Sequence, residues 1–232
     1  MTALPFAAVI FDLDGTLVDS ERLALEAGRR AFRRFGVTVT PGFLEGLIGR
    51  DRETVAQVFA AQYGDLDQSA LNAAIRAESA ALRRTEGAPL KPFARELVAE
   101  IAALGLPMAV ATSSGRAAAE AKLARAGLRA AFRVLVSADC VHRPKPAPEP
   151  YLLAAARLGH PPARCLAFED SDTGAEAAHA AGMRVVQVPD LVPGSGRHAH
   201  HMAVDLRAGA QAAGLLPSRD AASAQPAGTS PE

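Results

Sequence analysis

Five short apolar runs, at 7–11, 108–111, 134–136, 165–168 and 185–188, constrain this chain more than any other feature of its sequence. Runs this short, closed off by turn residues, suit strands buried on both faces of a parallel sheet. Stretches with helical spacing at about 92–104, 116–126, 149–158 and 174–181 precede the last four runs in turn. Strands that alternate with helices in this way predict an α/β fold, a doubly wound, Rossmann-like parallel five-stranded sheet.

The long gap between the first two runs reads differently. Asp19 or Ser20 can cap a helix that passes through Leu23, Ala27, Ala31 and Phe32 and ends at Gly36. Further helical stretches at about 53–63 and 67–84 stop before Gly64 and before Gly87 and Pro89, and the only strand-like alternation is the short 37–39 run. The sequence thus predicts an all-α domain at 17–87, inserted into an α/β core domain at 1–16 and 88–216. Residues 204–216 can form a closing helix. The stretch 217–232 is too poor in large apolar groups to offset the entropy of ordering and reads as a disordered tail. His198, His200 and His201 fall in an Ala/Gly/Pro/Ser-rich stretch and read as part of a solvated linker.

Charge excludes several classes of function. Twenty-five basic residues balance twenty-five acidic ones, so bulk charge favours neither a nucleic-acid nor a membrane partner. Two cysteines, Cys140 and Cys165, are too few for a disulfide framework and lack metal-ligand spacing, so both are expected to be buried free thiols. The first apolar run is cut at Asp12 and no basic residue precedes Arg22, which is not the pattern of a signal peptide or membrane span. A cytoplasmic chain is expected, monomeric or, as the alternative, dimeric.

Polar clusters stand where the predicted strands leave the core. Asp12-Leu13-Asp14-Gly15-Thr16 follows the first run, Thr112-Ser113-Ser114 the second, and Glu169-Asp170-Ser171 the fourth, while Lys145 lies in the loop after the third. Parallel strands gather such residues along one edge, the edge at which open α/β sheets bind ligands. Each cluster taken alone could be a turn or a helix cap; their joint placement points to phosphoryl transfer. That reaction needs an attacking oxygen, a proton donor for the leaving oxygen, and positive charge around the transferred group. Asp12 can supply the nucleophile and Asp14 the proton, while Thr112, Ser113 and Lys145 can hold the phosphate. Magnesium, which prefers oxygen ligands, could be held by Asp12, the backbone of Asp14, and Asp170 or Glu169.

Over residues 6 to about 190 these four ordered motifs resemble the haloacid dehalogenase superfamily, in its branch of magnesium-dependent phosphatases and phosphomutases with a helical cap. The resemblance implies a phospho-aspartate on Asp12, with Asp14 as general acid and then base. It implies phosphoryl binding by Thr112 and Lys145, and magnesium organised by Glu169 and Asp170. Dehalogenases of this fold lack the second aspartate, so Asp14 argues against that chemistry. β-Phosphoglucomutase carries a histidine in the first cap helix where this chain has Ala24, which weakens a mutase reading. Arg52 resembles a cap arginine that faces the distal part of the substrate, although a surface ion pair beside Asp51 and Glu53 would explain it equally well. Where many phosphoglycolate phosphatases have glycine and aspartate, this chain has Glu169-Asp170, which favours a sugar phosphate over phosphoglycolate. The expected activity is hydrolysis of a small phosphorylated metabolite, a sugar phosphate, with Mg2+. A phosphomutase, a phosphoglycolate phosphatase and a catalytically silent binding protein are the alternatives.

Overall fold

The computed structural model describes residues 4–40, 42–47, 52–64, 66–85 and 89–217. Among them six strands form one parallel sheet in the order β3-β2-β1-β4-β5-β6. These are β1 (Ala8–Phe11), β2 (Met108–Ala111), β3 (Val134–Val136), β4 (Cys165–Glu169), β5 (Arg184–Gln187) and β6 (His201–Met202). Five were expected; the sixth is a two-residue edge strand with no apolar run to announce it. The chain winds outward from β1 to β3 on one side and from β4 to β6 on the other. The switch between the two directions lies between β1 and β4, where such sheets place their ligand crevice.

The pleat sends alternate residues of β1 to opposite cores. Val9 and Phe11 join a cluster with Leu97, Ile101, Val110 and Phe168, in which Phe11 stacks on Phe168 at 5.0 Å between ring centroids. Ala8 and Ile10 face the other side, where Ala109, Ala111, Ala154 and Ala167 leave little between backbones. The first face is covered by α4 (Ala94–Ala103), α5 (Arg116–Arg125) and α8 (Leu206–Ala212), the second by α6 (Glu149–Leu158) and α7 (Asp172–Ala180). The alanine-rich face allows α6 to run close beneath β1, β2 and β3.

Helices α1 (Ser20–Arg34), α2 (Arg52–Tyr63) and α3 (Gln68–Thr85) make up the insert. The Asp19 side chain accepts from the Arg22 N–H to start α1, and Gly36, at φ 72°, follows its end. The insert has its own core, in which Phe32 meets Phe43, Phe59 and Tyr63. Residues 37–39 pair with no strand; their apolar side chains pack on this cluster instead. The two connections to the sheet domain are paired: Asp19 N–H donates to Pro89 O at 2.8 Å and Lys91 N–H to Leu17 O at 3.0 Å. Gly87 and the 218–232 tail lie outside the described residues.

Two local expectations are corrected. Residues 198–201 are not a solvated linker: His201 belongs to β6, and the His200 Nδ1 accepts the Val185 N–H at 3.0 Å. Cys165 is buried, but Cys140 is only partly so, because it sits on the loop after β3 beside Arg116 and Arg157. No helix among the described residues is long and apolar enough to cross a membrane.

Candidate active site

The register of the sheet assembles the site. Phe11 pairs with Phe168 and Val110, so the residues after β1, β2 and β4 emerge side by side. The Asp12 N–H donates to Phe168 O at 2.9 Å, which carries the ladder one residue past the strand and fixes the Asp12 backbone. The Thr112 N–H does the same toward Val136 O at 2.9 Å. The result is a cavity of about 370 Å³ lined by Asp12, Asp14, Thr112, Ser113, Lys145 and Asp170, among others. Seven of the eight residues singled out from the sequence take part in this site; Glu169 lies directly beneath the cavity. Of the eighth, Arg52, the structure shows only that it opens α2.

Lys145 is the centre of charge. Its ammonium, 6% exposed, lies 2.6 Å from Asp12 Oδ1 and 2.5 Å from Glu169 Oε1, and 5.0 Å above the Tyr151 ring. Burial alone would lower its pKa, but Asp12 and Glu169 overcome this and raise it well above the ordinary value, so the side chain stays cationic. Burial raises the Asp12 carboxyl, as does the charge of Glu169, with Lys145 opposing both. Burial and the same two carboxylates raise Asp170.

Glu169 is fully buried and has no free oxygen. Its Oε1 accepts from Lys145 and from the Tyr151 hydroxyl at 2.7 Å. Its Oε2 accepts from the Asp170 N–H at 3.1 Å and the Ser171 hydroxyl at 3.2 Å. Asp170 is less committed, with the Thr16 hydroxyl at 3.4 Å as a long, weak donor.

Asp12, Glu169 and Asp170 bring oxygens within 4.8 Å of one another; with both Glu169 oxygens engaged, Asp12 and Asp170 are the carboxylates left to hold a hard divalent cation. Gly15 keeps the cradle open. At φ 87° it turns the chain after Asp14, and a Cβ there would fall 2.2 Å from Asp170 Oδ2. Asp12 and Asp170, both driven upward by burial and by each other's charge, fit a bound Mg2+, and the lack of a side chain at Gly15 leaves the Asp170 carboxylate its place.

Asp14 has a partner that the sequence reading did not identify. The Lys122 ammonium reaches both of its oxygens, at 2.5 and 2.6 Å, and the Ser114 hydroxyl donates to it at 2.7 Å. Lys122 is also 2.9 Å from the Ser114 oxygen. Burial would raise Asp14, but Lys122 outweighs it, and with Ser20 and Ser114 it holds the carboxyl below the usual range. Lys122 stands eight residues after Ser114, beside the buried Leu123 on α5.

Comparison with known proteins agrees with this geometry. The family model described as haloacid dehalogenase-like hydrolase matches residues 9–188. The fructose-1-phosphate phosphatase YqaB of Escherichia coli (strain K12) is 38% identical over 184 residues, spanning 79% of this chain and 96% of its own length. Hexitol phosphatase A of the same organism is 36% identical over 179 residues, covering 77% and 81% of the two chains. A crystal structure of a HAD family hydrolase from Deinococcus radiodurans R1, with bound phosphate and sodium, superposes with a TM-score of 0.80 at 29% identity, covering 93% of this chain and 99% of that one. The chain belongs to the haloacid dehalogenase-like hydrolase family. It is an enzyme of that family's phosphatase kind.

Proposed function

We propose that the chain hydrolyses a small phosphorylated metabolite, a sugar phosphate or sugar-alcohol phosphate, through a phospho-aspartate on Asp12. The observation that carries this reading is the convergence of Asp12, Lys145 and Asp170 on one cavity, with Asp14 at its rim. Relatives that act on fructose 1-phosphate and hexitol phosphates support the substrate class.

Asp12 Oδ attacks phosphorus in line, forming a P–O bond as the ester P–O bond breaks. The leaving oxygen takes its proton from Asp14. Water then attacks the phospho-aspartate, gives its proton to Asp14, and releases phosphate and Asp12. Lys145 balances charge on the phosphoryl oxygens, while Thr112 and Ser113 at the end of β2 offer donors. Glu169, with every oxygen engaged, orients Lys145 and buttresses the Asp170 loop. Mg2+, held by Asp12, Asp170 and the Asp14 carbonyl, would neutralise negative charge where phosphate and carboxylates meet. Lys122 lowers the Asp14 pKa and so favours the ionised form, the one left once the leaving oxygen has taken the Asp14 proton and the one that then accepts the water proton.

Helices α1 to α3 would close over this edge as a cap, and Arg52 would meet the part of the substrate away from its phosphate. Ala24 has no group able to move a proton, which favours hydrolysis over a mutase. The test is phosphate release with Mg2+ from a panel of sugar phosphates, hexitol phosphates, phosphoglycolate and acetyl phosphate. Turnover of sugar or hexitol phosphates above phosphoglycolate supports the reading; no turnover of any ester would end it.

A further inference from the structure

The Tyr151 phenol is fully buried beside the site, yet no step of the proposed reaction uses it. A hydroxyl shut away from water needs a partner, and here the partner is Glu169 Oε1 at 2.7 Å, the same oxygen that accepts from Lys145. Phenylalanine would fill the space without that demand. Burial and the charges of Glu169 and Asp12 push the phenol well above its ordinary pKa, so it stays a neutral donor.

One short segment brings both donors to that oxygen. Lys145 lies on the loop before α6 and Tyr151 in the first turn of that helix. The Glu149 carboxylate accepts the His142 N–H at 2.8 Å and the Arg143 N–H at 3.0 Å, which folds the loop back onto the start of the helix. The Tyr151 ring, 5.0 Å from the Lys145 nitrogen, bounds one side of the ammonium. An ammonium has three N–H groups; Asp12 and Glu169 take two, which leaves one for a phosphoryl oxygen in the cavity that Lys145 lines. Where that last N–H points depends on where Glu169 Oε1 stands. Without the phenol, the lone pair now given to Tyr151 would be open to Lys145, and the ammonium could turn away from Asp12.

We propose that Tyr151 is a positioning residue for phosphoryl transfer: its hydroxyl fixes Glu169 Oε1 and its ring bounds the Lys145 ammonium, so that the remaining Lys145 N–H is aimed at the transferring group. The proposal rests on the phosphatase reading of the Asp12 site and adds a residue that acts there without touching substrate. A misaimed N–H costs most where charge spreads over the equatorial phosphoryl oxygens, so the loss falls on the transition state more than on bound phosphate.

The test is Tyr151→Phe, which keeps the ring and removes only the donor. With acetyl phosphate and Mg2+, kcat should fall about tenfold or more, the scale of one hydrogen bond to a charged group. Orthovanadate, which can take the five-coordinate geometry of the transferring phosphorus, should weaken as an inhibitor by about the same factor, while inorganic phosphate should weaken little. A role in packing alone would lower the melting temperature and leave the ratio of the vanadate and phosphate inhibition constants where it was. In a Glu169→Gln background the same change should cost less than about twofold more, because the phenol acts through that carboxylate. Parental kcat in Tyr151→Phe, an unmoved vanadate-to-phosphate ratio, or full additivity with Glu169→Gln would overturn the proposal. Failure of the parent to hydrolyse acetyl phosphate would instead refute the reading of the Asp12 site, and this proposal with it.

Discussion

The sheet domain and the helical insert solve opposite problems with different side chains. In the sheet domain, residues far apart in sequence are locked into hydrogen-bonding contact, as Lys145 is with Asp12 across 133 positions and Lys122 with Asp14 across 108. Strand ends hold them there, and small alanine faces keep the layers tight. The insert is held by aromatic packing around Phe32, and the cavity it offers is almost wholly apolar among the described residues. On the proposed reading, chemistry is built where backbone ladders fix position, and selection where side-chain packing can change without disturbing those ladders.

If that division is right, damage to the sheet domain should affect every substrate alike. Asp12→Asn should have the largest effect, leaving less than about a thousandth of the parent rate on acetyl phosphate and sugar phosphates, because an amide is no nucleophile. Steady-state assays on protein of unchanged circular dichroism would check it. Asp14→Asn should cost about a hundredfold, the scale of a lost general acid or base, and more for alkyl esters than for acetyl phosphate. Equal losses across leaving groups would remove Asp14 from the leaving-group step.

Lys122→Met should have a smaller effect, about tenfold near neutral pH, and should move the pH profile. The Asp14 carboxyl lies below its usual range because of Lys122, so removing the ammonium raises it. Activity that depends on ionised Asp14 falls as pH drops through its pKa, so the acid limb of kcat should shift to higher pH in the variant. An unmoved limb would leave Lys122 a packing residue. In the insert, Arg52→Ala should be the mildest change: it should lower kcat/KM for the preferred sugar phosphate by about tenfold while leaving acetyl phosphate little altered. Equal losses on both substrates would break the comparison between the two regions.

How legible each region was in the sequence follows the same division. Strands at 108–111 and 134–136 and the helix at 149–158 were placed to the residue, because apolar runs between turn residues leave few alternatives. The convergence of Asp12, Asp14, Thr112, Lys145 and Asp170 on one cavity was legible because parallel strands bring their ends to one edge whatever separates them in sequence. β6 was not, since two polar-flanked residues carry no periodicity, and 37–39 showed alternation with no strand to pair with. Lys122 and Tyr151 escaped because a lysine on a helix and a tyrosine in an apolar stretch look ordinary until the helix is docked. The insert's helices were legible from their caps, whereas its pocket depends on three-dimensional neighbours such as Gly28 and Leu44.

The close fit between Glu169 and the first turn of α7 also limits how this site can change over evolutionary time. A Cβ on Gly174 would stand 1.8 Å from Glu169 Oε1 and 2.2 Å from Oε2, so the carboxylate that orients Lys145 occupies the space a larger residue at 174 would need. The two positions therefore form one heritable unit. A larger residue at 174 needs the space that the Glu169 carboxylate fills, and each order of substitution meets a different intermediate. With Glu169 shortened first, Lys145 and Tyr151 lose a partner; with Gly174 enlarged first, the Glu169 carboxylate is displaced from the same two groups and from the Asp170 N–H. Either route away from this arrangement passes through a site in which Lys145 has lost the carboxylate that orients it.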